Sequence, residues 1–384
     1  MIPITLNYLI KIGLGVISYP MSLLLRLYPR DHKLWIFGAW EGKKVNDNPW
    51  YLYEYVKKQN KDVRCVWLVK RRELLEVCEK KGIPCLYTYS WEGIKTALKA
   101  GVWVFTHNSD TDLLPFLWPG TKRVLLWHGI CFKHFFFDQP WYNGLHKKLY
   151  KVGRYVSPLL FNMGNEDVMA VSSTVEKKLF TKSLLGFTKI YPTGYARNDQ
   201  LVSVSAPKKR IVYVPTHRTN SQWKSAITDP LFWEGLDEWL GEVGWELDLK
   251  LHPGDGNAVD VDALKNITLL NKADAFYDLT SKLGEYSVLI SDYSGVVYDY
   301  AITKRPIVLY CPDIAAFVTE KGIYGELNGF AYAPITYNLD QLKAELGKAI
   351  EKTEADYPIH LAHDHTDGKN VQRVYERIIS LLPP

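Results

Sequence analysis

Two histidines stand where an α/β protein places its reactive groups, directly after predicted strands. His128 follows the apolar run 124–127, and His252 follows the segment 247–251, in which leucines alternate with polar residues. Both patterns predict strands, and parallel sheets bind ligands at the carboxyl ends of their strands. Histidine titrates near neutral pH, which suits a general base that takes a proton from a hydroxyl group. The alternative for His128 is a ring that is satisfied by a loop carbonyl.

Cationic and hydroxyl side chains follow another predicted strand, residues 211–214. Arg218 offers the paired N–H donors that suit a phosphate group, and its alternative is an ordinary surface arginine. Thr216 and His217 stand at the same strand end and are weaker candidates. A protonated His252 can hold phosphate charge without a metal. We therefore expect this edge of a sheet to face an anionic ligand.

The stretch Ser287–Tyr310 predicts a strand, a turn, a helix and a second strand. Its turn carries Ser291, Asp292 and Ser294, at the point where the helix begins. Free N–H groups and the helix dipole favour an anion there, so the two serines are predicted to bind a diphosphate. Asp292 is expected to cap the helix or orient a neighbour, because a carboxylate aimed at phosphate would repel it. The alternative is an ordinary capped helix.

Ordered motifs give the chain a family resemblance. They are Leu126-Trp-His-Gly129, Pro215-Thr-His-Arg218, Lys250-Leu-His-Pro253, Ser291-Asp-Tyr-Ser294, Asp299-Tyr-Ala301 and Lys304-Arg-Pro306, with Gly194-Tyr-Ala-Arg-Asn-Asp199 as a looser match. From about Leu34 to the C-terminus the sequence resembles the CDP-glycerol glycerophosphotransferases of teichoic acid synthesis (TagB/TagF-like). It departs from the family pattern at Gly295, where a second serine is usual, and at His217, where tryptophan is usual.

The resemblance implies a fold, a donor and residue roles. The fold would be GT-B, an α/β architecture of two Rossmann-like domains that face each other across a cleft. His128 would be the catalytic base, with His252 catalytic near the donor diphosphate, and Lys133 and Asp138 on the acceptor side. Asp299 would be structural or bound to the glycerol end of the donor. The implied donor-binding residues are Thr216, Arg218, Ser291, Asp292, Ser294 and Asp299.

Length, cysteine count and charge limit the class of protein to which the chain can belong. The 384 residues allow two domains with sizeable cores. Five cysteines without paired spacing predict a reduced, cytosolic protein. Residues 1–200 carry a net charge of +13 and residues 201–384 carry −8. A basic first half suits a lipid surface or a phosphate-bearing acceptor, whereas no nucleic-acid-binding signature is present.

The N-terminal stretch Ile4–Leu27 is strongly apolar. Its longest uncharged run, residues 12–25, is shorter than the roughly 20 residues that span a bilayer, and Pro20 interrupts it. We predict a pair of short helices that lie in the membrane interface at the cytoplasmic face of the cell membrane, so that the protein is peripheral and monotopic. The alternative is a helix that packs on its own domain.

Alternating strand and helix patterns predict a parallel α/β protein. The expected division is 1–30 for the apolar segment, 31–205 for an acceptor domain and 206–384 for a CDP-glycerol-binding domain. The polar stretch 201–210 is the expected linker. The last helix, from about Asn370 to Leu382, is expected to cross back to the first domain.

We expect the protein to need neither a metal ion nor a cofactor. Asp110-Thr-Asp112 and Asp260-Val-Asp262 resemble a metal-binding DxD, but aspartate is frequent enough for such tripeptides to arise by chance. The group of His360, His363, Asp364 and His365 is more typical of a polar turn and helix cap than of a metal site.

The resulting hypothesis is transfer of glycerol phosphate from CDP-glycerol to a hydroxyl of a membrane-linked acceptor, with release of CMP. The acceptor would be an undecaprenyl-diphosphate disaccharide in the synthesis of wall teichoic acid or a related polymer. The alternatives are a poly(glycerol phosphate) or poly(ribitol phosphate) polymerase of the same family, a GT-B nucleotide-sugar glycosyltransferase and a non-catalytic scaffold. A primase that adds one or a few units is favoured, because polymerases of this family typically carry a large additional N-terminal region.

Overall fold

The computed structural model describes residues 3–131, 133–204, 206–216, 228–251, 262–270, 275–325 and 333–383. The chain divides into two compact units. The first comprises Met1–His128, Phe135–Arg197 and Lys369–Pro384, and the second comprises Gly129–His134 and Asn198–Gly368. Each unit is built on a parallel sheet, as the alternating sequence pattern predicts.

The first unit contains a seven-stranded sheet in the order β3-β2-β1-β4-β5-β6-β7. Its strands are β1 (Asp31–Phe37), β2 (Arg64–Val69), β3 (Cys85–Tyr87), β4 (Ala100–Phe105), β5 (Lys122–Leu125), β6 (Val168–Ala170) and β7 (Ile190–Tyr191). Its helices are α1 (Ile4–Gly13), α2 (Gly15–Leu27), α3 (Asp47–Gln59), α4 (Glu73–Lys80), α5 (Trp91–Lys99), α6 (Ser109–Asp112), α7 (Gly144–Val156), α8 (Thr174–Ser183) and the C-terminal helix Asn370–Ile379.

The second unit contains a six-stranded sheet in the order β10-β9-β8-β11-β12-β13. Its strands are β8 (Lys208–Val214), β9 (Glu246–Leu249), β10 (Ile267–Leu269), β11 (Tyr286–Ser291), β12 (Ile307–Tyr310) and β13 (Ile335–Thr336). Its described helices are α9 (Pro230–Val243), α10 (Thr280–Leu283), α11 (Val296–Ala301), α12 (Ile314–Lys321), α13 (Leu339–Ile350) and α14 (Ile359–Ala362), which makes the C-terminal helix of the first unit α15.

The central strands form because their apolar runs are covered on both faces. All six residues of β4 are buried, as are all four of β12, which is the pattern expected for parallel sheets with helices on both sides. The strands predicted from apolar runs are confirmed. The sequence reading missed β3, β7 and β13, which have two or three residues each and carry little signal.

Both sheets change winding direction beside their first strand. β1 lies between β2 and β4, and β8 lies between β9 and β11. At such a point the connections leave toward opposite faces, and α/β proteins bind ligands in the crevice that opens at the carboxyl ends of the strands. The candidate ligand crevices therefore lie at the ends of β1 and β4 in one unit, and of β8 and β11 in the other.

The unit boundary lies at Arg197, earlier than the predicted limit at residue 205. The Arg197 N–H donates to Asn48 of the first unit at 3.0 Å, whereas the Asn198 side chain donates to Asp299 of the second unit at 2.9 Å. Adjacent residues are thus held by different cores. The helix α15 belongs to the first unit, where Val374 and Ile378 are fully buried.

The N-terminal helices have one face packed and one face exposed. Tyr8 of α1 packs edge-on against Phe161, with ring centroids 5.3 Å apart, and Ser18 of α2 hydrogen-bonds Ser157 at 2.7 Å. On the other face Val16 is 83% exposed and Leu27 is 80% exposed. No single described helix is long and apolar enough to cross a membrane, although α1 and α2, bent by 60°, pass that test as a pair.

We predict that Tyr8→Ala frees α1 from the first unit, because loss of a buried aromatic side chain costs about 3 kcal/mol or more. The measurement is the rate of limited proteolysis within residues 4–27, which should rise clearly in the variant. Val16→Ala removes an equally apolar but exposed side chain and should leave that rate unchanged. Equal cleavage rates in the two variants would show that α1 does not depend on this contact.

Candidate active site

His128 lies just beyond β5, at the carboxyl edge of the first sheet. Leu126 extends the strand with an N–H···O bond of 2.9 Å to Phe105. Trp127 then adopts a left-handed backbone with φ of 54°, and Gly129 has φ of 128°. A left-handed tryptophan is strained, and such strain is typical of residues that the surrounding structure holds in place for function. The sequence prediction that His128 ends a strand is confirmed.

Aromatic rings hold the imidazole of His128 on several sides. It stacks on His107, with ring centroids 4.2 Å apart and planes 21° from parallel. Trp127 lies at 4.2 Å and Trp40 at 6.0 Å between centroids. The Nδ1 atom of His128 is buried and has no hydrogen-bond partner within the part of the chain that the structure describes. This nitrogen is therefore a candidate for contact with a ligand.

Burial holds the pKa of His128 well below its usual range. Electrostatic interactions with His107 and with Arg197 lower this pKa further, whereas a hydrogen bond to the Thr106 backbone and the charge of Asp112 raise it. The imidazole is consequently neutral at neutral pH. A neutral imidazole can accept a proton, which a general base must do.

Asp112 fixes His107 and the two loops beside it. Its carboxylate accepts N–H bonds from Thr106 at 2.8 Å, from His107 at 2.7 Å and from Glu41 at 2.8 Å, and a hydroxyl bond from Thr106 at 2.8 Å. Because the Thr106 hydroxyl gives its single proton to Asp112, its 2.7 Å bond with His107 must take the proton from Nδ1 of that ring. Nδ1 of His107 therefore carries a proton, and the ring is held at the β1–β4 crevice.

A second network ties the strand end to the start of α3. The Asn48 amide donates to the Trp127 carbonyl at 2.9 Å and accepts the Arg197 N–H at 3.0 Å. Asp47 accepts from the Arg197 guanidinium at 2.9 Å and from the Trp40 indole at 3.0 Å. These contacts place the positive charge of Arg197 near His128.

Sequence reasoning missed the site roles of His107, Asp47, Asn48 and Arg197. The signals that could have found them were weak. Arg197 lies in the motif Gly194–Asp199, and Asp47-Asn48 precedes Pro49 at a helix start, where Asn and Asp are frequent caps. The partners of these residues are far away in sequence, so no local pattern pairs them.

In the second unit, Asp292 ties the ends of β8 and β11 together. Its carboxylate accepts the N–H of Thr216 at 2.9 Å and the hydroxyl of the same residue at 2.6 Å. The Ser291 hydroxyl donates to the Val214 carbonyl at 2.7 Å across the same pair of strands. Asp292 thus orients a neighbour, as the sequence predicted, and the hydroxyl proton of Ser291 is committed to the backbone.

The helix after this turn is short. α11 has six residues, and the Ser294 hydroxyl accepts the Val296 N–H at 3.4 Å. Asp299 is buried and accepts a hydrogen bond from the Asn198 side chain at 2.9 Å. This contact is structural, which is one of the two roles expected for Asp299. Tyr293 stacks on Phe317 with centroids 3.8 Å apart. The diphosphate-binding roles of Ser291 and Ser294 stay predictions.

The described residues that follow His128, which are 129–131 and 133–134, belong to the second unit. Lys133 forms an antiparallel bridge with Ile323, and its ammonium lies 5.7 Å from the centroid of Phe317. A Cβ at Gly295 would lie 2.6 Å from the Ile130 carbonyl oxygen, which explains why glycine replaces the serine of the family pattern. Asp138 ends a 3₁₀ turn in the first unit, so the two predicted acceptor-side residues belong to different units.

Arg218, His217 and His252 lie outside the described residues, and their predicted roles stay predictions. The strands that precede them are described. β8 ends at Val214 and its parallel neighbour β9 ends at Leu249, so the segments after both strands begin at the carboxyl edge of the second sheet.

Some residues of the metal-site alternatives bind other groups of the protein. The Asp112 carboxylate is occupied by backbone and hydroxyl donors, and Asp260 lies outside the described residues. His363 is buried and donates to the Tyr298 carbonyl at 2.9 Å, whereas His360 is exposed. Among the described residues, no three His, Cys, Asp or Glu side chains are grouped so that they could hold a metal ion.

Comparison with solved structures defines the class of fold. The chain is similar to the wall teichoic acid polymerase TagF, with a TM-score of 0.68, 21% identity and coverage of 99% of this chain and 98% of that one. The structure of a TagF variant soaked with CDPG gives a TM-score of 0.68 at 20% identity, with 99% of both chains covered. The protein therefore has the TagF-like GT-B fold with two parallel-sheet α/β units.

The family follows from the sequence. The model of the CDP-glycerol:poly(glycerophosphate) glycerophosphotransferase family matches residues 19–380, and the chain belongs to this family. It is thus a transferase of the kind expected from its motifs.

Curated relatives of similar length include enzymes with different products. The teichoic acid poly(glycerol phosphate) polymerase of Bacillus spizizenii is 26% identical, with 94% of both chains covered. The teichoic acid ribitol-phosphate primase of the same species is 23% identical, with 98% of both chains covered. The teichoic acid glycerol-phosphate transferase of Staphylococcus aureus is 24% identical over 88% of this chain and 89% of that one.

We predict that His107→Gln moves the acid limb of the pH–rate profile to higher pH. The electrostatic interaction with His107 lowers the pKa of His128, so replacing this ring with a neutral amide should raise that pKa. The active form of a general base is the unprotonated one, and activity is lost as pH falls through the pKa. In the parent protein the loss should therefore begin below the usual histidine range, and in the variant it should begin at higher pH.

The measurement is kcat/KM for glycerol phosphate transfer between pH 5 and 8. His360→Gln removes an exposed histidine and should leave the profile of the parent protein unchanged. An unmoved acid limb in His107→Gln, with reduced activity at every pH, would mean that His107 supports the site only by packing.

Proposed function

We propose that the protein transfers glycerol phosphate from CDP-glycerol to a hydroxyl group of a lipid-linked acceptor and releases CMP. Membership of the glycerophosphotransferase family supports the donor. The names of the B. spizizenii and S. aureus relatives support a product of the teichoic acid type. An undecaprenyl-diphosphate disaccharide is the acceptor that we infer.

The observation that carries the proposal is the neutral imidazole of His128 at the strand end. In the proposed reaction this ring accepts the proton of the acceptor hydroxyl, whose oxygen forms a bond to the β-phosphorus of CDP-glycerol. The bond from that phosphorus to the bridging oxygen breaks, and CMP leaves with the electron pair. Stacking on His107 and the Asn48 bond to the Trp127 carbonyl hold the ring in place for this step.

Charge on the transferred and leaving phosphates must be balanced by the protein, because phosphoryl transfer depends mainly on positioning and electrostatics. We assign this task to Arg218, to His252 and to the turn 291–294. The Asp292 contacts with Thr216 support the assignment, since they fix the strand end from which Arg218 follows.

We also propose that the protein is peripheral at the cytoplasmic face of the membrane. The exposed apolar face of α1 and α2 supports this location, because such a face is stable in the interfacial region of a bilayer. A lipid-linked acceptor would be met at the same surface.

We predict that His128→Ala lowers the rate of transfer about 10²–10⁴-fold, the usual contribution of a general base. Binding of CDP-glycerol, measured by calorimetry, and the circular dichroism spectrum should stay near those of the parent protein. His360→Ala serves as the matched control and should retain full activity. Activity of His128→Ala within a few fold of the parent protein would remove this histidine from the mechanism.

The number of units added needs its own test. Chain length does not separate a primase from a polymerase, because the B. spizizenii polymerase has nearly the same length as this chain. We retain the prediction of one or a few added units. The measurement is the mass of the products formed from excess CDP-glycerol and a synthetic lipid-linked disaccharide. A single increment supports a primase, and a long ladder of glycerol phosphates identifies a polymerase.

A further inference from the structure

A pocket of about 470 Å³ lies in the first unit, at the amino end of β5. It is therefore at the opposite edge of the sheet from His128. Its wall is formed by the end of α2 (Arg26), the segment 118–123, the end of α7 (Arg154 and Tyr155) and the residues near Asp167. The proposed transfer reaction does not use this pocket.

The pocket is strongly cationic. Arg26, Lys122, Arg123 and Arg154 line it, against the single carboxylate of Asp167. That carboxylate already accepts the backbone N–H of Arg123 at 3.0 Å. Within the described part of the chain, Arg26, Lys122 and Arg154 take part in none of the ion pairs. Arg154 donates to the Asn165 side chain and lies 3.7 Å from the ring centroid of Phe187, so the cations available to a ligand are those of Arg26 and Lys122.

Residues of the pocket wall also carry unused hydrogen-bond donors. The indole nitrogen of Trp118, Nε of Arg123 and Nη1 of Arg154 are buried and have no partner among the described residues. All three are donors that cannot accept, and a buried donor without an acceptor is costly. The accessible cations of this wall are Arg26 and Lys122, and an anion with several acceptor oxygens, such as a phosphate group, matches them.

The surroundings of the pocket are apolar. On α2, Leu24 and Leu27 flank Arg26 and are 69% and 80% exposed. On α7, Val152 and Tyr155 flank Arg154 and are 50% and 73% exposed. The same two helices thus supply the cations and an apolar collar beside them. A phosphate that is attached to acyl chains matches this arrangement, whereas a free phosphate would leave the collar in water.

We propose that this pocket binds the phosphate of an anionic phospholipid headgroup while the collar lies among the acyl chains. The inference rests on the proposed membrane location, but it is independent of the transfer chemistry. It adds a defined lipid site to a surface that would otherwise bind membranes only by apolar contact and diffuse charge.

The test compares two variants that lose the same charge. Arg26→Gln/Lys122→Gln removes the two cations of the pocket wall. Lys58→Gln/Lys61→Gln removes two exposed cations beside the start of β2, three strands from β5. Full-length proteins are sedimented with phosphatidylcholine vesicles that contain no phosphatidylglycerol or about one-fifth of it. Transfer to a water-soluble acceptor and the thermal melt check that each variant is folded.

The parent protein should bind the phosphatidylglycerol vesicles more tightly than the neutral ones. The pocket variant should lose about tenfold or more of the binding to anionic vesicles, and the control variant less than about threefold. Arg26→Lys/Lys122→Arg, which keeps both charges, should retain most of this binding. All three variants should bind neutral vesicles as the parent protein does.

Equal losses in the two Gln variants would overturn the proposal in favour of diffuse attraction. A parent protein that ignores phosphatidylglycerol would overturn it as well. Millimolar inorganic phosphate is added as a competitor. If it abolishes the tighter binding to phosphatidylglycerol vesicles, the pocket is a site for a free anion instead of a lipid. Failure of the transfer reaction with intact lipid selectivity would contradict the proposed function alone.

Discussion

The buried carboxylate of Asp112 is the contact on which the candidate site of the first unit depends. It gathers N–H groups from Glu41, after β1, and from Thr106 and His107, after β4. These strands are neighbours whose chains leave toward opposite faces, so their terminal N–H groups have no strand partners there. Without the carboxylate these buried donors would each cost on the order of 1–3 kcal/mol. The position of His107, and with it the stacking of His128, follows from this one side chain.

The second unit contains the same kind of contact, in which an aspartate carboxylate binds donors at a neighbouring strand end. Asp292 follows its fourth strand, β11, and binds the N–H and hydroxyl of Thr216, which follows its first strand, β8. In both units an aspartate from the fourth strand end closes the crevice beside the first. Each carboxylate is therefore engaged by N–H and hydroxyl donors of the protein itself. This arrangement suits a protein that handles phosphates, because the surrounding donors offset part of the negative charge of the carboxylate.

The sequence predicted the central strands well because short apolar runs between turn residues are typical of buried parallel strands. It also placed His128 correctly, since a histidine directly after such a run must lie at the sheet edge. It did not predict the partners of His128. Asn48 and Arg197 are separated by 149 residues, and nothing local connects them. Asp112 was visible as half of a DxD tripeptide, yet its role depends on N–H groups whose positions only the folded backbone defines.

The location of α15 has a consequence for biosynthesis. This helix supplies Val374 and Ile378 to the core of the first unit, and Tyr375 packs against Trp35 of β1 with centroids 6.2 Å apart. Yet the ribosome makes it after the whole second unit. The first unit therefore emerges early with part of its core uncovered and reaches its final packing late in synthesis. During that interval the nascent chain exposes apolar sheet surface, which is the condition under which chaperones bind and aggregation begins.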